Sequence, residues 1–515
     1  MLIYVRGITH NLLTASKVLT LVGIALPLKL SFITGVPFPL FKMGIIQQLR
    51  SKLPFSRSTK TRWMWCAIAA IVYGVILLLP LPGITAEGQR ALAVFGVAAL
   101  LWGTSALPLA VTGILVLFLL PFSGAITNKS TYAYFGNSAV FFILGALILS
   151  SPIMRSGLST RIALAVVSRF GKSQKALLAS ILGLAAIMSC VISAHAVAAM
   201  LFPIVMEVVR ASGAKPGGRF GLAAFLAMAW GVVIGSNTTL LGGARGPLAL
   251  GILQNTTGKT IGFVEWTIAS IPLVLLLLLV AGGLLQFVGQ GEKVSLNAAR
   301  RFLEARNREL GAISRREVVT TAIMILTIAL WITMGDTWGL DSIALLGVSL
   351  AFISGVADWR EVEEDVNWGI FVMYGSAIAL SAALTDTGAA AGLSQYLLAA
   401  GINSFLVIFA AIVFIALMMT EFMSNAAAVA VLLPVALAIA EKYGIEAPII
   451  ALAVVIPAGL GFMLPVSTPA IAIAVSSGYV RPLSVLRWGL WLDLLGYGLV
   501  LLVSQLYWPL LGLGG

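Results

Sequence analysis

Two short polar segments interrupt apolar runs of this sequence at matching positions. Ser424 and Asn425 lie inside the apolar run Thr420–Pro434, and Ser193 occupies the equivalent place 231 residues earlier. A hydroxyl or amide in hydrocarbon costs on the order of several kcal/mol unless it has a partner, so such residues normally contact protein, an ion or a substrate. Matched interruptions in the two halves of a chain are typical of the central site of a secondary transporter.

Composition places these segments in a membrane. Hydrophobic residues form 60% of the 515, charged residues form 10%, and the mean hydropathy is +1.05. Soluble domains carry about 25% charged residues, so the sequence predicts an all-α polytopic membrane protein. Basic cytoplasmic loops explain the net charge of +13 better than nucleic-acid binding does, and no nucleic-acid partner is expected. Two cysteines and two histidines give no basis for a disulfide framework or a metal cluster.

Charge and hydropathy divide the chain into four parts. Residues 1–62 contain no acidic residue and are interpreted as a basic membrane-surface or targeting extension. Residues 63–290 are predicted to form a first membrane repeat with a leading helix, and residues 317–515 a second, inverted repeat. Residues 291–316 carry seven basic residues and are predicted to be a cytoplasmic link between the repeats.

About 11 transmembrane helices are expected, together with two re-entrant hairpins and two broken helices. Basic residues on both flanks of the first polar segment put both of its ends on the cytoplasmic side, which makes it a hairpin. The hairpins are predicted at residues 176–209 and 405–442, with tips at Ser193–Ala196 and Ser424–Ala427; the broken helices are predicted at residues 220–253 and 449–477, with breaks at Gly235–Pro247 and Leu464–Pro469; short surface helices are predicted at Ser159–Phe170 and Gly392–Ala400.

The four interruptions have a definite chemistry. Backbone carbonyls at a tip or break, and the C-terminal ends of half-helices, suit Na⁺, whereas half-helix N-termini present N–H groups to an anion. Pro465 and Pro469 would break the second helix by removing donors. A plainer alternative is that the small residues only mark close helix packing, but that alternative explains two symmetry-related pairs of breaks poorly.

The segment Thr420–Pro434 resembles the second Ser-Asn-Thr hairpin of the divalent anion/sodium symporter family. Phe462–Pro469 resembles that family's second unwound loop, and the Trp-Gly-Ile-Phe string that begins at Trp368 also fits. The resemblance extends roughly from Trp63 to Leu510. It implies a homodimer in which a transport domain moves like an elevator against a scaffold. The implied substrates are C4-type dicarboxylates, citrate or sulfate, carried with Na⁺ and without any other cofactor.

The resemblance, together with the departures from it, defines two sets of site residues. The expected substrate-binding residues are Ser193, His195, Gly243, Arg245, Ser424, Asn425, Thr468 and Pro469. The expected Na⁺-binding residues are Ser189, Ser193, Gly242, Thr420, Met423, Asn425 and Ser467. The string Ser236-Asn237-Thr238 spells the family motif but lies in the broken helix, so it is not aligned with the tip.

The first half departs from the family pattern at two places. Ala194 and His195 stand where the family has Asn and Thr, and Arg245 lies in the segment that replaces Thr-Pro-Pro-Asn. Arg245 could bind a carboxylate or sulfate with its guanidinium fork. A fixed or titratable cation could instead replace the first Na⁺, which would give proton coupling or obligatory exchange. A third alternative places Arg245 at the aqueous end of its helix and His195 in ordinary packing.

These observations predict a secondary active transporter of small divalent anions, with C4-type dicarboxylates first and sulfate or another inorganic oxyanion as the alternative. Its mechanism is expected to be an elevator, coupled to Na⁺ or working as an exchanger. A membrane-embedded enzyme that uses His195 is a distant alternative, because no buried Asp or metal-binding motif accompanies this histidine. A bacterial inner membrane is the favoured location, and an organelle membrane is the alternative.

Overall fold

A computed structural model describes residues 59–170, 173–292, 294–392 and 404–512. Within these ranges the chain is helical, with connecting turns and no strand. The predicted extension lies outside the described residues except for its last four, which belong to the first helix. The surface helix predicted at Gly392–Ala400 lies almost entirely outside them.

The helices are named in chain order. In the first half they are α1 (Thr59–Leu78), α2 (Ala86–Thr104), α3 (Leu109–Phe122), α4 (Asn128–Phe135), α5 (Ser138–Arg155), α6 (Leu158–Phe170), α7 (Gln174–Ser189), α8 (Ala194–Ala211), α9 (Arg219–Gly235), α10 (Arg245–Thr257) and α11 (Phe263–Val288). After these come α12 (Leu296–Glu309), α13 (Arg315–Trp338), α14 (Leu340–Ile353), α15 (Trp359–Asp365), α16 (Trp368–Asp386), α17 (Phe405–Phe422), α18 (Asn425–Lys442), α19 (Ala447–Val455), α20 (Pro469–Ser476) and α21 (Pro482–Leu506). Two 3₁₀ turns, Pro457–Gly459 and Trp508–Leu511, complete the described elements.

Eight helices in the described parts of the chain are long and apolar enough to cross a membrane, namely α1, α5, α8, α11, α13, α16, α18 and α21. The protein is therefore an integral, multi-pass, all-helical membrane protein. A straight crossing needs about 20 residues, and several other apolar helices are shorter, such as α7 with 16 residues and α9 with 17. The total of about 11 crossings stays a prediction.

Each predicted hairpin is a helix–turn–helix unit, with its turn slightly earlier than expected. Helix α7 ends at Ser189 and α8 begins at Ala194, while α17 ends at Phe422 and α18 begins at Asn425. The tips are therefore residues 190–193 and 423–424. The shift has a local cause at the second tip, where Ser424 is the N-cap of α18 and its Oγ accepts a hydrogen bond from the Ala427 N–H at 3.3 Å. A serine in this role stands at the start of a helix, so the turn precedes it.

Both predicted broken helices are present. Helix α9 stops at Gly235 and α10 starts at Arg245, and α19 with its 3₁₀ turn stops at Gly459 before α20 starts at Pro469. The second break is thus longer than predicted. It ends at the expected residue because proline suits the first position of a helix, and the Thr468 Oγ1 caps that helix by accepting from the Ile471 N–H at 3.4 Å.

Contacts between the two halves are reciprocal. Helix α10 packs against α18 and α19 of the second half, and α20 packs against α8 and α9 of the first half. In the same way α3 packs against α16, and α14 packs against α5. Such exchanged contacts are those that two equivalent repeats make across a pseudo-twofold axis. The second half-helix of each broken helix therefore packs against the hairpin of the other half.

The link between the halves is folded rather than extended. Its helix α12 packs against α6 and α8. Arg161 of α6 binds the residues that follow α12 in the chain. The Arg161 guanidinium binds the Glu317 carboxylate at 2.7 and 3.1 Å and also donates to the Gly311 and Ala312 carbonyls. Since α8 is an arm of the first hairpin, the link connects that hairpin to the start of α13.

Two short helices, α4 and α15, were not predicted, and each is fixed by a polar contact. The Tyr134 Oη on α4 donates to Asp386 Oδ2 at 2.5 Å, and this carboxylate raises the pKa of Tyr134 to about 12. On α15, Asp365 accepts two hydrogen bonds from Arg155 at 2.7 and 2.9 Å. These contacts tie the short helices to the ends of α16 and α5.

Close backbone packing at Gly235 leads to a stability prediction. A Cβ at this position would overlap the carbonyl and Cα of Ala186 on α7, so we expect Gly235→Ala to lower the free energy of unfolding by about 1–3 kcal/mol. Thermal unfolding of the detergent-purified protein would measure the change. Gly183→Ala on α7 is the matched control, because its added Cβ would meet no atom within 4 Å beyond the adjacent backbone of its own helix. Alanine also favours a helix by about 1 kcal/mol over glycine. Equal melting temperatures for the two variants would contradict the prediction.

Candidate functional site

Arg245 lies at the point where the two breaks meet. It is the first residue of α10, and its side chain is only 6% exposed. The guanidinium occupies the space beside two glycines, since a Cβ at Gly243 or at Gly459 would overlap its nitrogens. Gly243 belongs to the first break and Gly459 to the 3₁₀ turn before the second. The guanidinium is therefore held between backbone segments from both halves.

No carboxylate compensates this charge within the described residues. The Arg245 Nη2 donates to Ser236 Oγ at 3.2 Å, and no ion pair joins the guanidinium to an acid of the described residues. A buried cation without a counter-charge is costly, so a buried arginine normally faces an anion. Burial also excludes the alternative in which Arg245 reaches the aqueous end of its helix.

The second hairpin tip is connected to this position by hydrogen bonds. The Thr420 Oγ1 lies 2.8 Å from Asn425 Oδ1 and 2.7 Å from the Ala458 carbonyl oxygen. A hydroxyl has one hydrogen, so both contacts are satisfied only if the Asn425 amide is turned to donate to Thr420, which then donates to Ala458. Ala458 directly precedes Gly459, which contacts Arg245. Thr420, Asn425 and Arg245 thus belong to one connected site.

Glu421 fixes the unwound loop of the second half. Its buried carboxylate accepts three backbone N–H bonds, from Phe462 at 2.7 Å, Met463 at 3.0 Å and Leu464 at 2.8 Å. These bonds replace the helical bonds that residues 460–468 lack. Neither expected residue set includes Glu421, although an acid beside a hairpin tip in an apolar run is a signal that the sequence offers. The loop that it holds carries Ser467 and Thr468, both buried.

The first hairpin tip and the first break also meet. A Cβ at Gly242 would overlap the Ser189 carbonyl oxygen, and the Ala194 N–H donates to the Gly242 carbonyl at 3.3 Å. The Ser189 Oγ is buried without a hydrogen-bond partner in the described structure. An unpartnered buried hydroxyl beside backbone carbonyls of a tip and a break fits a cation ligand. A cavity of about 20 Å³ lies next to this tip, lined in part by Ser150, Ser193 and Ala244.

Residues 60–513 match a family model described as the sodium:sulfate symporter transmembrane region. The chain belongs to this family. Membership makes the protein a secondary transporter of divalent anions and not an enzyme, so the alternative of catalysis by His195 is set aside. It also supports a bacterial plasma membrane as the location, since the relatives described next are bacterial.

Several relatives of this symporter-family chain are known by sequence. The sodium-dependent dicarboxylate transporter SdcS of Staphylococcus saprophyticus is 26% identical over 397 residues, which cover 72% of this chain and 76% of that protein. A membrane protein of Cupriavidus necator is also 26% identical, over 75% of this chain and 80% of its own length.

Two solved structures resemble this symporter-family protein in fold. The Alcanivorax borkumensis YdaH transporter has a TM-score of 0.54 at 14% identity and covers 88% of this chain and all of its own. Neisseria gonorrhoeae MtrF, from a class of antimetabolite efflux pumps, has a TM-score of 0.56 at 13% identity and covers 86% of this chain and 94% of its own. At such identities the likeness concerns the fold alone.

The structure of the symporter-family site adds two observations to the expected residue sets. His195 lies in the first turn of α8 and is exposed, in contrast to the buried Arg245. Ser236, which the sequence comparison set aside with Asn237 and Thr238, accepts the hydrogen bond from Arg245, and the Asn237 amide nitrogen lies 3.5 Å from the Gly459 carbonyl oxygen. The triplet is not the hairpin motif, yet two of its residues contact the site.

Proposed function

We propose that this protein carries small dicarboxylates of the C4 type across the membrane together with Na⁺. The observation that supports the proposal is the buried guanidinium of Arg245, which has no acidic partner in the described chain and lies where both unwound segments meet. A planar guanidinium can bind a carboxylate with two parallel hydrogen bonds, which suits it to a dicarboxylate. Relatives named as sodium-dependent dicarboxylate transporters support the same substrate and the same coupling ion.

The proposed substrate site extends from Arg245 to the tips and to the N-terminus of α20. Half-helix N-termini present N–H groups and a positive dipole end to an anion, and α8, α10, α18 and α20 all begin at a tip or break. The residues assigned to the anion are the eight substrate-binding residues expected from the sequence. Ser236 is added as the partner that orients Arg245. Ser193, His195 and Gly243 lie on the first-half side, while Ser424, Asn425, Thr468 and Pro469 lie on the second.

Na⁺ is proposed to bind at both tips as cargo. The second site would use Thr420, Met423, Asn425 and Ser467, where the hydroxyl and amide are already in contact. The first would use Ser189, Ser193 and Gly242, where the buried Ser189 hydroxyl has no hydrogen-bond partner in the described structure. Arg245 brings a fixed positive charge near this first half, so fewer Na⁺ ions would be needed to balance a dianion there. Exchange of one dianion for another without Na⁺ is the competing mode.

The movement is proposed to be an elevator within a homodimer. The hairpins and broken helices are packed on one another across both halves, as in the contacts of α10 with α18 and of α20 with α8. This mutual packing supports a single body that carries both tips and both breaks together. The remaining spans would form the scaffold and the contact between protomers.

Uptake into proteoliposomes tests the proposed function. The purified protein should accumulate labelled succinate or malate when Na⁺ is higher outside, and should do so much less when K⁺ replaces Na⁺. Counterflow of succinate at equal Na⁺ on both sides would identify exchange. Labelled sulfate separates the two substrate classes, because sulfate uptake without dicarboxylate uptake would replace the proposed substrate. Absence of uptake and counterflow for every dianion tested would overturn the function itself.

A further inference from the structure

A second buried acid, Asp493, lies beside Glu421. Asp493 is in the middle of α21, is 1% exposed, and neither of its carboxylate oxygens has a hydrogen-bond partner in the described structure. Helix α21 packs against α17, and the carboxyl group of Asp493 lies within interaction distance of that of Glu421. Two ionised carboxylates only accept hydrogen bonds, so the pair is held together only by a shared proton or by a bound cation. Neither the expected substrate-binding residues nor the expected Na⁺-binding residues include Asp493.

The unwound loop closes the same space from a third side. Gly489 lies one turn before Asp493 on α21, and a Cβ there would overlap the Phe462 carbonyl oxygen. That carbonyl therefore reaches α21 on the face that leads to Asp493. A Cβ at Gly461 would lie 3.5 Å from Glu421 Oε1, so the loop backbone also borders the other acid. Oxygen atoms from α17, from the loop and from α21 thus converge.

No basic side chain reaches these acids within the described structure. The elements packed against α21 are α11, α17, α19 and the two 3₁₀ turns. Apart from Glu421, their sequences contribute one ionisable side chain, Glu265 at the start of α11. On α21 itself, Arg487 lies over the Trp488 ring and the Tyr497 hydroxyl donates to the Ala410 carbonyl. A buried carboxylate pair without a fixed counter-charge needs a mobile cation, which is either a proton or a metal ion.

We propose that Glu421 and Asp493 form an additional Na⁺ site, separate from the two sites at the hairpin tips. Carboxylates and exposed backbone carbonyls are the oxygen ligands that Na⁺ takes in unwound transporter segments. Glu421 directly follows Thr420, so an ion bound here lies next to the second tip and stabilises the loop that carries Ser467 and Thr468. The proposal rests on the proposed Na⁺-coupled function.

The test compares Asp493→Asn with the wild-type protein in proteoliposomes. Asparagine keeps the shape of the side chain but removes its charge, so the variant should transport about one fewer Na⁺ per dianion, as expected when one cation site is lost. Paired uptake of ²²Na⁺ and labelled succinate measures this ratio. Ser504→Ala is the control on the same helix, since its buried hydroxyl bonds only within α21 at 2.9 Å to Leu501 and should leave the ratio unchanged.

A second measurement keeps the test decisive if Asp493→Asn transports poorly. Na⁺ should raise the melting temperature of the wild-type and Ser504→Ala proteins in detergent, and the rise should be smaller for Asp493→Asn at every Na⁺ concentration. An unchanged Na⁺-to-dianion ratio and an unchanged Na⁺-dependent shift would overturn the site. An unchanged ratio with loss of coupled proton movement would also overturn it, because the pair would then carry a proton. Failure of the wild type to transport any dianion would instead reject the proposed function.

Discussion

Replacing Arg245 by glutamine is expected to weaken dianion binding by about 100-fold, which corresponds to about 3 kcal/mol. The guanidinium is the one charge found at the meeting point of the two breaks, and no described acid neutralises it. Arg245→Lys should fall between the wild type and Arg245→Gln, because lysine keeps the charge but lacks the planar fork. The dependence of succinate uptake on succinate concentration measures both changes.

Thermal unfolding separates this result from misfolding. Removing an uncompensated buried charge should raise the melting temperature of the substrate-free protein, while the further rise caused by succinate should disappear. Arg219→Gln is the control, because Arg219 is exposed at the start of α9 and donates to the Gln290 carbonyl at 3.1 Å. Wild-type succinate affinity in Arg245→Gln would show that the guanidinium does not bind the substrate.

Replacing Thr420 by valine is expected to raise the Na⁺ concentration for half-maximal uptake by about tenfold. Valine has nearly the same shape, so the change removes little besides the hydroxyl between Asn425 and the Ala458 carbonyl. Leaving the half-buried Asn425 amide and the buried Ala458 carbonyl without this partner costs about 1–3 kcal/mol, and about 1.4 kcal/mol corresponds to the tenfold change. Uptake of labelled succinate over a series of Na⁺ concentrations measures the effect.

The matched control for this change is Thr385→Val on α16. The Thr385 Oγ1 donates to the Ser381 carbonyl of its own helix at 3.1 Å and has only a long contact of 3.5 Å with the Thr256 hydroxyl of α10. Its loss should therefore leave the Na⁺ dependence as it is. If Thr420→Val lowers the amount of folded protein but keeps the wild-type Na⁺ dependence, the hydroxyl supports the fold and is not a Na⁺ ligand.

The membrane class and the order of hairpins and broken helices were predictable from sequence. Apolar runs of membrane length are visible without any partner, and polar residues such as Ser424 inside such a run require an explanation that ordinary spans do not. Internal matching then paired the tips and the breaks. Their borders were less accurate, because capping by Ser424 and the 3₁₀ turn before Leu460 depend on local geometry.

The composition of the site was only partly predictable, because several contacts join residues that are distant in sequence. Asp493 is 72 residues from Glu421, and no periodicity in α21 indicates that the two face each other. In the sequence, Gly459 is not distinguished from other small residues. The structure shows that the Arg245 guanidinium packs against it. Ser236 was left out of the expected sets because its triplet lies in the broken helix and not at the hairpin tip. Such pairings arise from tertiary packing, which local sequence patterns do not encode.

The exchanged packing of the two halves has a consequence for how the protein is made. Helix α10 ends at Thr257, but its neighbours α18 and α19 begin only at Asn425 and Ala447. The separation is larger for α8, which ends at Ala211 and packs against α20, which begins at Pro469. Until α18 and α19 have been synthesised, the polar break around Arg245 lacks the protein contacts that bury it on one side. Late, long-range contacts of this kind slow assembly and leave partly folded intermediates exposed. A chain that stops within the second half would therefore lack both tips as working sites, including the one whose residues it already contains.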